Sequence, residues 1–249
     1  MGPVCGTGTH SNGRSMYMQL SGTSQATGVA GGSASLAREY LREVAGINKP
    51  SASLIKATLI NGAEDLGTPD IPNAYEGWGQ IDLENSLKPS SSGVSLDVFQ
   101  DDERELQAGF SLIYSFDLDG SKGIDITLAW SDAEASANAA QSESRLLNNL
   151  DLILIAPDGT SYLGNHFSSG ISTTGGSADN LNNIERIRIP AGATTQNGDW
   201  MVTVEHKGGS SQRYSIVIAA DATLIPKADL TTEEHTSELQ SRHSISYAV

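Results

Sequence analysis

Leu150-Asp151-Leu152-Ile153-Leu154-Ile155-Ala156, closed by Pro157-Asp158-Gly159-Thr160, is the stretch on which the fold turns. A short run rich in Leu and Ile, stopped by a Pro-Asp-Gly turn, reads as a buried β-strand. Six more runs of this kind lie around it, at 94–99, 110–118, 124–130, 184–189, 200–206 and 214–220. Turn signals such as Gly208-Gly209 separate them, and no helical pattern of comparable strength interrupts them. Seven or eight strands over about 130 residues predict an antiparallel β-sandwich of jelly-roll type.

Before these strands the hydrophobic period is helical. From 24 to 44, Val29, Ala30, Ala34, Ala37, Leu41 and Val44 recur at three-to-four spacing. Gly28, Gly31 and Gly32 thin this helix, each at a cost of about 1 kcal/mol relative to alanine. Close approach to a sheet or another helix would recover that cost, so a buried central helix is expected. A second helix is predicted over 51–61, with Pro50 ahead of it, Gly62 behind it, and Leu54, Ile55, Thr58 and Leu59 on its apolar face. A loop rich in Pro, Gly and Asn follows over 67–79, then a short amphipathic turn at 81–87. Residues 88–93, with Pro89 and three consecutive serines, read as a linker. The chain thus divides into residues 1–88, a linker at 89–93, a sandwich over 94–226 and a tail at 227–249.

In that tail, Glu-Glu-His-Thr-Ser-Glu-Leu-Gln-Ser and Ile-Ser-Tyr-Ala-Val resemble the translation of a short-read sequencing adapter. Residues 233–249 are therefore expected to be an assembly artefact and carry no functional argument. Removing their net −2 leaves −13 of the formal charge of −15. Nucleic acid and anionic membrane surfaces would repel such a chain and are not expected as partners. Clustered Asp and Asn suit a hard cation such as calcium. One cysteine, Cys5, excludes an internal disulfide framework. No apolar run reaches the length of a spanning helix, and the N-terminus lacks the layout of a signal peptide.

The chemistry concentrates at Ser21-Gly22-Thr23-Ser24-Gln25-Ala26-Thr27, which opens the first helix. A serine there sits by unsatisfied backbone N–H groups and the positive end of the helix dipole. That placement suits a nucleophile whose attack creates an oxyanion. It equally suits a plain helix cap. A serine hydrolase of the G-x-S-x-G type is not expected, because the sequence holds no such elbow.

Three segments in order, 22–27, 53–63 and Gly77-Trp78-Gly79-Gln80-Ile81-Asp82, resemble the C-terminal third of a subtilisin-like serine endopeptidase domain (peptidase S8 family). Leu128-Ala129-Trp130-Ser131-Asp132, Asn149–Leu154 and Ala156–Thr160 resemble the jelly-roll domain that follows it in alkaline serine proteases. The resemblance spans residues 16–220. It implies an α/β fragment followed by an all-β sandwich, protein and peptide substrates, and Ser24 as nucleophile with its own N–H as one oxyanion donor. Gly28 stands where the family usually has proline.

In subtilisins the triad runs Asp, His, Ser along the chain. The expectation is that the aspartate, histidine and side-chain oxyanion donor belong to a missing N-terminal part, and that Met1 is internal to a larger protein exported from the cell. His10 is not expected to be the base, and His166 and His206 read as surface residues. The family also implies calcium, with Asp132, Asp151 and Asp179 as candidates among the Asx and Glu residues at turns and strand edges, which include Asn149 and Glu185. A second function class stays open: a non-catalytic binding or stabilising sandwich beside a decayed protease remnant.

Overall fold

The computed structural model of the chain describes residues 22–67, 70–88, 95–100, 105–138 and 144–229. β-sheet predominates over helix in this part, which holds few helices and no closed barrel. The linker expected at 89–93, Cys5, His10 and the segment 233–249 lie outside the described residues.

Ten strands follow three helices: β1 (Ser95–Gln100), β2 (Ser111–Asp119), β3 (Ile124–Trp130), β4 (Asn149–Ile155), β5 (Ser161–Ser168), β6 (Ile171–Thr174), β7 (Ile184–Ile189), β8 (Asn197–Gly208), β9 (Tyr214–Ala220) and β10 (Ala222–Asp229). They form a four-stranded sheet, β1-β9-β3-β7, and a six-stranded sheet, β10-β2-β8-β4-β5-β6, with antiparallel pairing throughout. Alternate residues of both sheets fill one core. Ile126, Leu128 and Trp130 of β3 and Ile216 and Ile218 of β9 meet Leu150, Leu152 and Leu154 of β4 and Trp200, Val202 and Val204 of β8. Burying each such side chain stabilises the fold by about 1.5–3 kcal/mol. Trp130 also satisfies its indole, donating from Nε1 to the Asn148 carbonyl at 3.0 Å.

All seven expected strands are present, three of them with the expected ends. The structure adds β5, β6 and β10. β5 hides its period because Gly164 and Asn165, the latter at φ 60°, interrupt it at the rim of the sheet. Only four residues make β6, and β10 follows β9 after the single residue Asp221.

The helices are α1 (Thr23–Glu43), α2 (Ala52–Asn61) and α3 (Leu83–Leu87). Ser51 starts α2 by accepting the Leu54 N–H at 3.1 Å. Gly62 ends it where the chain runs against α3, since a Cβ there would lie 2.3 Å from Ser86 N. Asp82 caps α3 by accepting the Asn85 N–H at 3.0 Å. Leu54, Ala57 and Ile60 of α2 pack on Ala129, Ile184 and Val217, on the outer face of the four-stranded sheet.

The expectation of a buried α1 needs correction. Its buried residues are Ser33, Ala37 and Leu41, a single stripe, while Val29 is 69% and Leu36 52% exposed. At Gly28, Gly31 and Gly32 nothing outside the helix's own backbone comes within 4 Å of where a Cβ would sit among the described residues. The small residues that predicted close approach face no described partner.

Candidate functional site

Ser24 occupies the second position of α1. Gly22 precedes it with φ 148° and ψ 161°, a backbone that side-chain-bearing residues rarely adopt. The Gly22 carbonyl accepts the first helical bond from Ala26 N–H at 3.1 Å, and among the described residues no side chain caps the helix start. No acidic residue stands in the first turn, and every side chain from 22 to 29 is exposed. The serine is thus presented at a positive helix end with uncapped N–H groups beside it. Among the described residues, no histidine or carboxylate hydrogen-bonds its hydroxyl.

The described histidines are placed elsewhere. His166 on β5 is half-buried, its Nδ1 lying 2.9 Å from Thr173 Oγ1 and 3.1 Å from the Thr173 carbonyl. His206 corrects the surface reading: it is 1% exposed, and both ring nitrogens are buried without a hydrogen-bond partner among the described residues. Burial holds its imidazole below the usual histidine range. The signal was in the sequence, because His206 is in phase with the core residues Val202 and Val204.

Of the three candidate aspartates, Asp132 braces a loop. Its carboxylate accepts the N–H groups of Leu147 at 2.6 Å, Ala133 at 2.9 Å and Asn148 at 3.0 Å. Asp179 accepts from Leu181 and Asn182 backbone N–H at 2.8 and 3.2 Å, and from the side-chain amides of Asn165 and Asn182 at 2.6 Å. Asp151 lies inside β4 and is 3% exposed, accepting Asn149 Nδ2 at 3.1 Å with Lys207 Nζ 4.0 Å away. Burial raises its carboxyl above the usual range, with Glu205 and Asp179 adding to the rise and Lys207 and Asn149 opposing it.

Glu185, 1% exposed on β7, sends Oε2 to the Leu152 N–H at 2.6 Å. Burial, and then the charges of Asp151 and Asp179, push its carboxyl well above the usual range. Glu185 Oε1 and Asn149 Oδ1 are buried acceptors without a hydrogen-bond partner among the described residues. Among the described residues, no three His, Cys, Asp or Glu side chains already converge as a metal-holding group. No described helix is long and apolar enough to cross a membrane.

Comparison with known proteins bears on the first of these sites. Residues 3–79 match the Subtilase family, peptidase S8. The chain is similar to the serine protease/ABC transporter B family protein tagA of Dictyostelium discoideum, 37% identical over 191 residues, covering 70% of this chain and 11% of that protein. It is also similar to tagB of the same organism and description, 29% identical over 241 residues, covering 74% of this chain and 12% of that protein. The chain therefore spans about a tenth of the length of these relatives. Among solved structures, the infectious bursal disease virus VP2 subviral particle aligns at 13% identity and a TM-score of 0.20, over 53% of this chain and 33% of that one, too low to relate the folds. With the match beginning ahead of Ser24 and running through α2 to Gly79, this segment of the chain belongs to the subtilisin-like S8 family, the subtilases.

Proposed function

We propose that this chain supplies the nucleophile of a serine endopeptidase, with Ser24 attacking the carbonyl of a protein or peptide substrate. The observation that carries the proposal is the exposed serine at the uncapped N-terminus of α1, inside the residues matched to the subtilases. Attack forms a bond from Ser24 Oγ to the carbonyl carbon while a histidine base takes the hydroxyl proton. Collapse of the tetrahedral species expels the amine, which receives that proton, and leaves an acyl-enzyme for water to hydrolyse. The N–H of Ser24 is one donor to the oxyanion.

The described residues offer Ser24 no base and no orienting carboxylate. On our reading both come from an N-terminal part of the catalytic domain that precedes this sequence. The uncovered strip of α1 at Gly28, Val29, Gly31, Gly32 and Leu36 supports that division. A fluorophosphonate probe tests it. The chain alone should leave Ser24 unlabelled, and co-expression with the preceding open frame should bring labelling. Labelling of the isolated chain would overturn the division of labour. No labelling with the preceding segment present would favour a non-catalytic sandwich beside a protease remnant.

For the β half we propose the jelly-roll arrangement. Support comes from strands that cross between sheets at every connection but β4-β5 and β5-β6, so that β1, β3, β7 and β9 share one and β2, β4, β5, β6, β8 and β10 the other. Calcium is proposed as a structural cofactor of this half. The unpartnered oxygens of Asn149 and Glu185 beside Asp151 and Asp179 fit a hard cation. Asp132 and Asp179 fit less well, because N–H donors occupy both oxygens of each. A bound cation would tie β4 and β7 to the loop at Asp179, so calcium should raise Tm and a chelator should reverse the rise. The cysteine-poor, acidic composition supports an extracellular site of action for the whole protein.

A further inference from the structure

The subtilase match ends at residue 79 and the composition breaks at 89–93, so α2 falls on the protease side of both boundaries. In three dimensions α2 belongs equally to the sandwich, which grips it along its whole length. At its start, the hydroxyls of Ser51 and Ser53 lie 3.0 and 2.9 Å from that of Ser215 on β9. Along its middle, Leu54, Ala57 and Ile60 cover Ala129, Ile184 and Val217. At its end, Arg186 of β7 takes hold of the backbone. Its Nη2 donates to the Asn61 carbonyl at 2.7 Å and its Nη1 to the Ala63 carbonyl at 3.1 Å.

The Asn61 carbonyl is an orphan acceptor at the negative end of a helix, where a cation is favoured, and Ala63 lies just beyond the Gly62 cap. Arg186 is 1% exposed, and an unpaired buried guanidinium would be prohibitive. Asp125 on β3 balances it, accepting from Nε at 3.0 Å, and Thr127 on the same strand donates to Asn61 Oδ1 at 2.9 Å. A planar fork reaching two carbonyls and a carboxylate at once is a task for arginine that lysine cannot reproduce. Residues 61 and 186 are 125 apart in the chain, so no local requirement of β7 explains this side chain.

We infer that the outer face of the four-stranded sheet is a dock for residues 51–63 of this chain, with Arg186 as its key. The sandwich is then fastened to the subtilase segment by a built interface as well as by a linker, and α2 can come away from the sheet only by giving up the Arg186 contacts. The surface is committed to this intramolecular partner and is closed to external proteins. The inference is independent of any chemistry at Ser24.

Hydrogen exchange by mass spectrometry on the full chain tests it. Arg186→Met should speed exchange of the α2 amides at least tenfold, while β4 and β8 amides in the far sheet keep their protection. Thr127→Val, which leaves the ion pair in place, should speed exchange in α2 by a smaller factor and holds the test if Arg186→Met fails to fold. Asp125→Asn combined with Arg186→Met should recover part of the α2 protection, because the carboxylate that Arg186→Met leaves with Arg188 alone, at 3.7 Å, is then removed. Unchanged α2 exchange in both single variants would overturn the dock. Equal acceleration in α2, β4 and β8 would do so too, because it would make Arg186 an ordinary core residue.

Discussion

Replacing Glu185 with glutamine isolates one proton in the stability of the sandwich. Oε2 accepts the Leu152 N–H at 2.6 Å, whereas Oε1 is buried and unpartnered. Burial and the neighbouring Asp151 and Asp179 hold the carboxyl well above the ordinary glutamate range. The native state therefore keeps a proton that the unfolded chain releases above about pH 4.5. Stability from this group is complete below that pH and declines as pH rises, until the native carboxyl itself ionises. For one proton the slope is at most about 1.4 kcal/mol per pH unit. Glutamine retains a carbonyl oxygen for the Leu152 N–H and does not titrate, so the slope should vanish. At about 2–4 °C per kcal/mol for a domain of this size, two pH units above 4.5 open a gap of up to roughly 5–11 °C. Thermal melts in chelator at pH 4.5, 5.5 and 6.5 should show Glu185→Gln level with the parent at the lowest pH and progressively more stable above it. Parallel Tm curves for the two proteins would refute the reasoning, because Glu185 would then titrate alike in both states. Repeating the melts in calcium should raise Tm for the parent more than for the variant.

Gly62→Ala should lower Tm, because the new methyl would meet Ser86 backbone within 2.5 Å; overpacking of this kind costs about 1–3 kcal/mol. Ile216→Ala removes a fully buried side chain at the centre of the shared core and should cost about 2–5 kcal/mol in urea titration. Burial depresses the His206 imidazole, so the unfolded chain binds a proton that the native state resists, and stability falls as pH drops through about 6.5. His206→Leu should flatten that acid limb between pH 7 and 5, as read by Tm. Ser24→Ala, at an exposed position, should leave Tm of this chain within about 0.5 kcal/mol of the parent while removing any fluorophosphonate labelling of the completed enzyme.

Residues 124–130, 184–189 and 214–220 were legible to the residue, since each is an apolar run whose direction alternates and whose ends meet turns. Gly22-Thr23-Ser24 was legible for a related reason: a glycine backbone at φ 148° and a helix start are short-range properties. β5 was not legible. Gly164 is there for Glu185, whose carboxylate would lie 2.2 Å from an added Cβ, and Asn165 faces β7, accepting the Arg186 N–H at 2.9 Å and donating to the Ile184 carbonyl at 2.7 Å. Both choices answer to a strand some twenty residues later, and neither has a period.

Alternation tells which way a side chain points, because that depends only on neighbouring peptide geometry. It does not tell what lies on the far side. Arg186 and Asp151 both point away from the sandwich core, as their phase implies, and in isolation each reads as solvent-facing. The landing of α2 buries the first, and the surroundings of Asn149 and Lys207 bury the second. Val29 and Leu36 show the reverse case: α1 carries an apolar pattern, but among the described residues no partner arrives to cover it. The elements, their facing and the nucleophile motif were set locally along the chain. Which faces are dry, and hence where Arg186 grips α2 and where Glu185 keeps its proton, came from contacts between residues tens to more than a hundred positions apart.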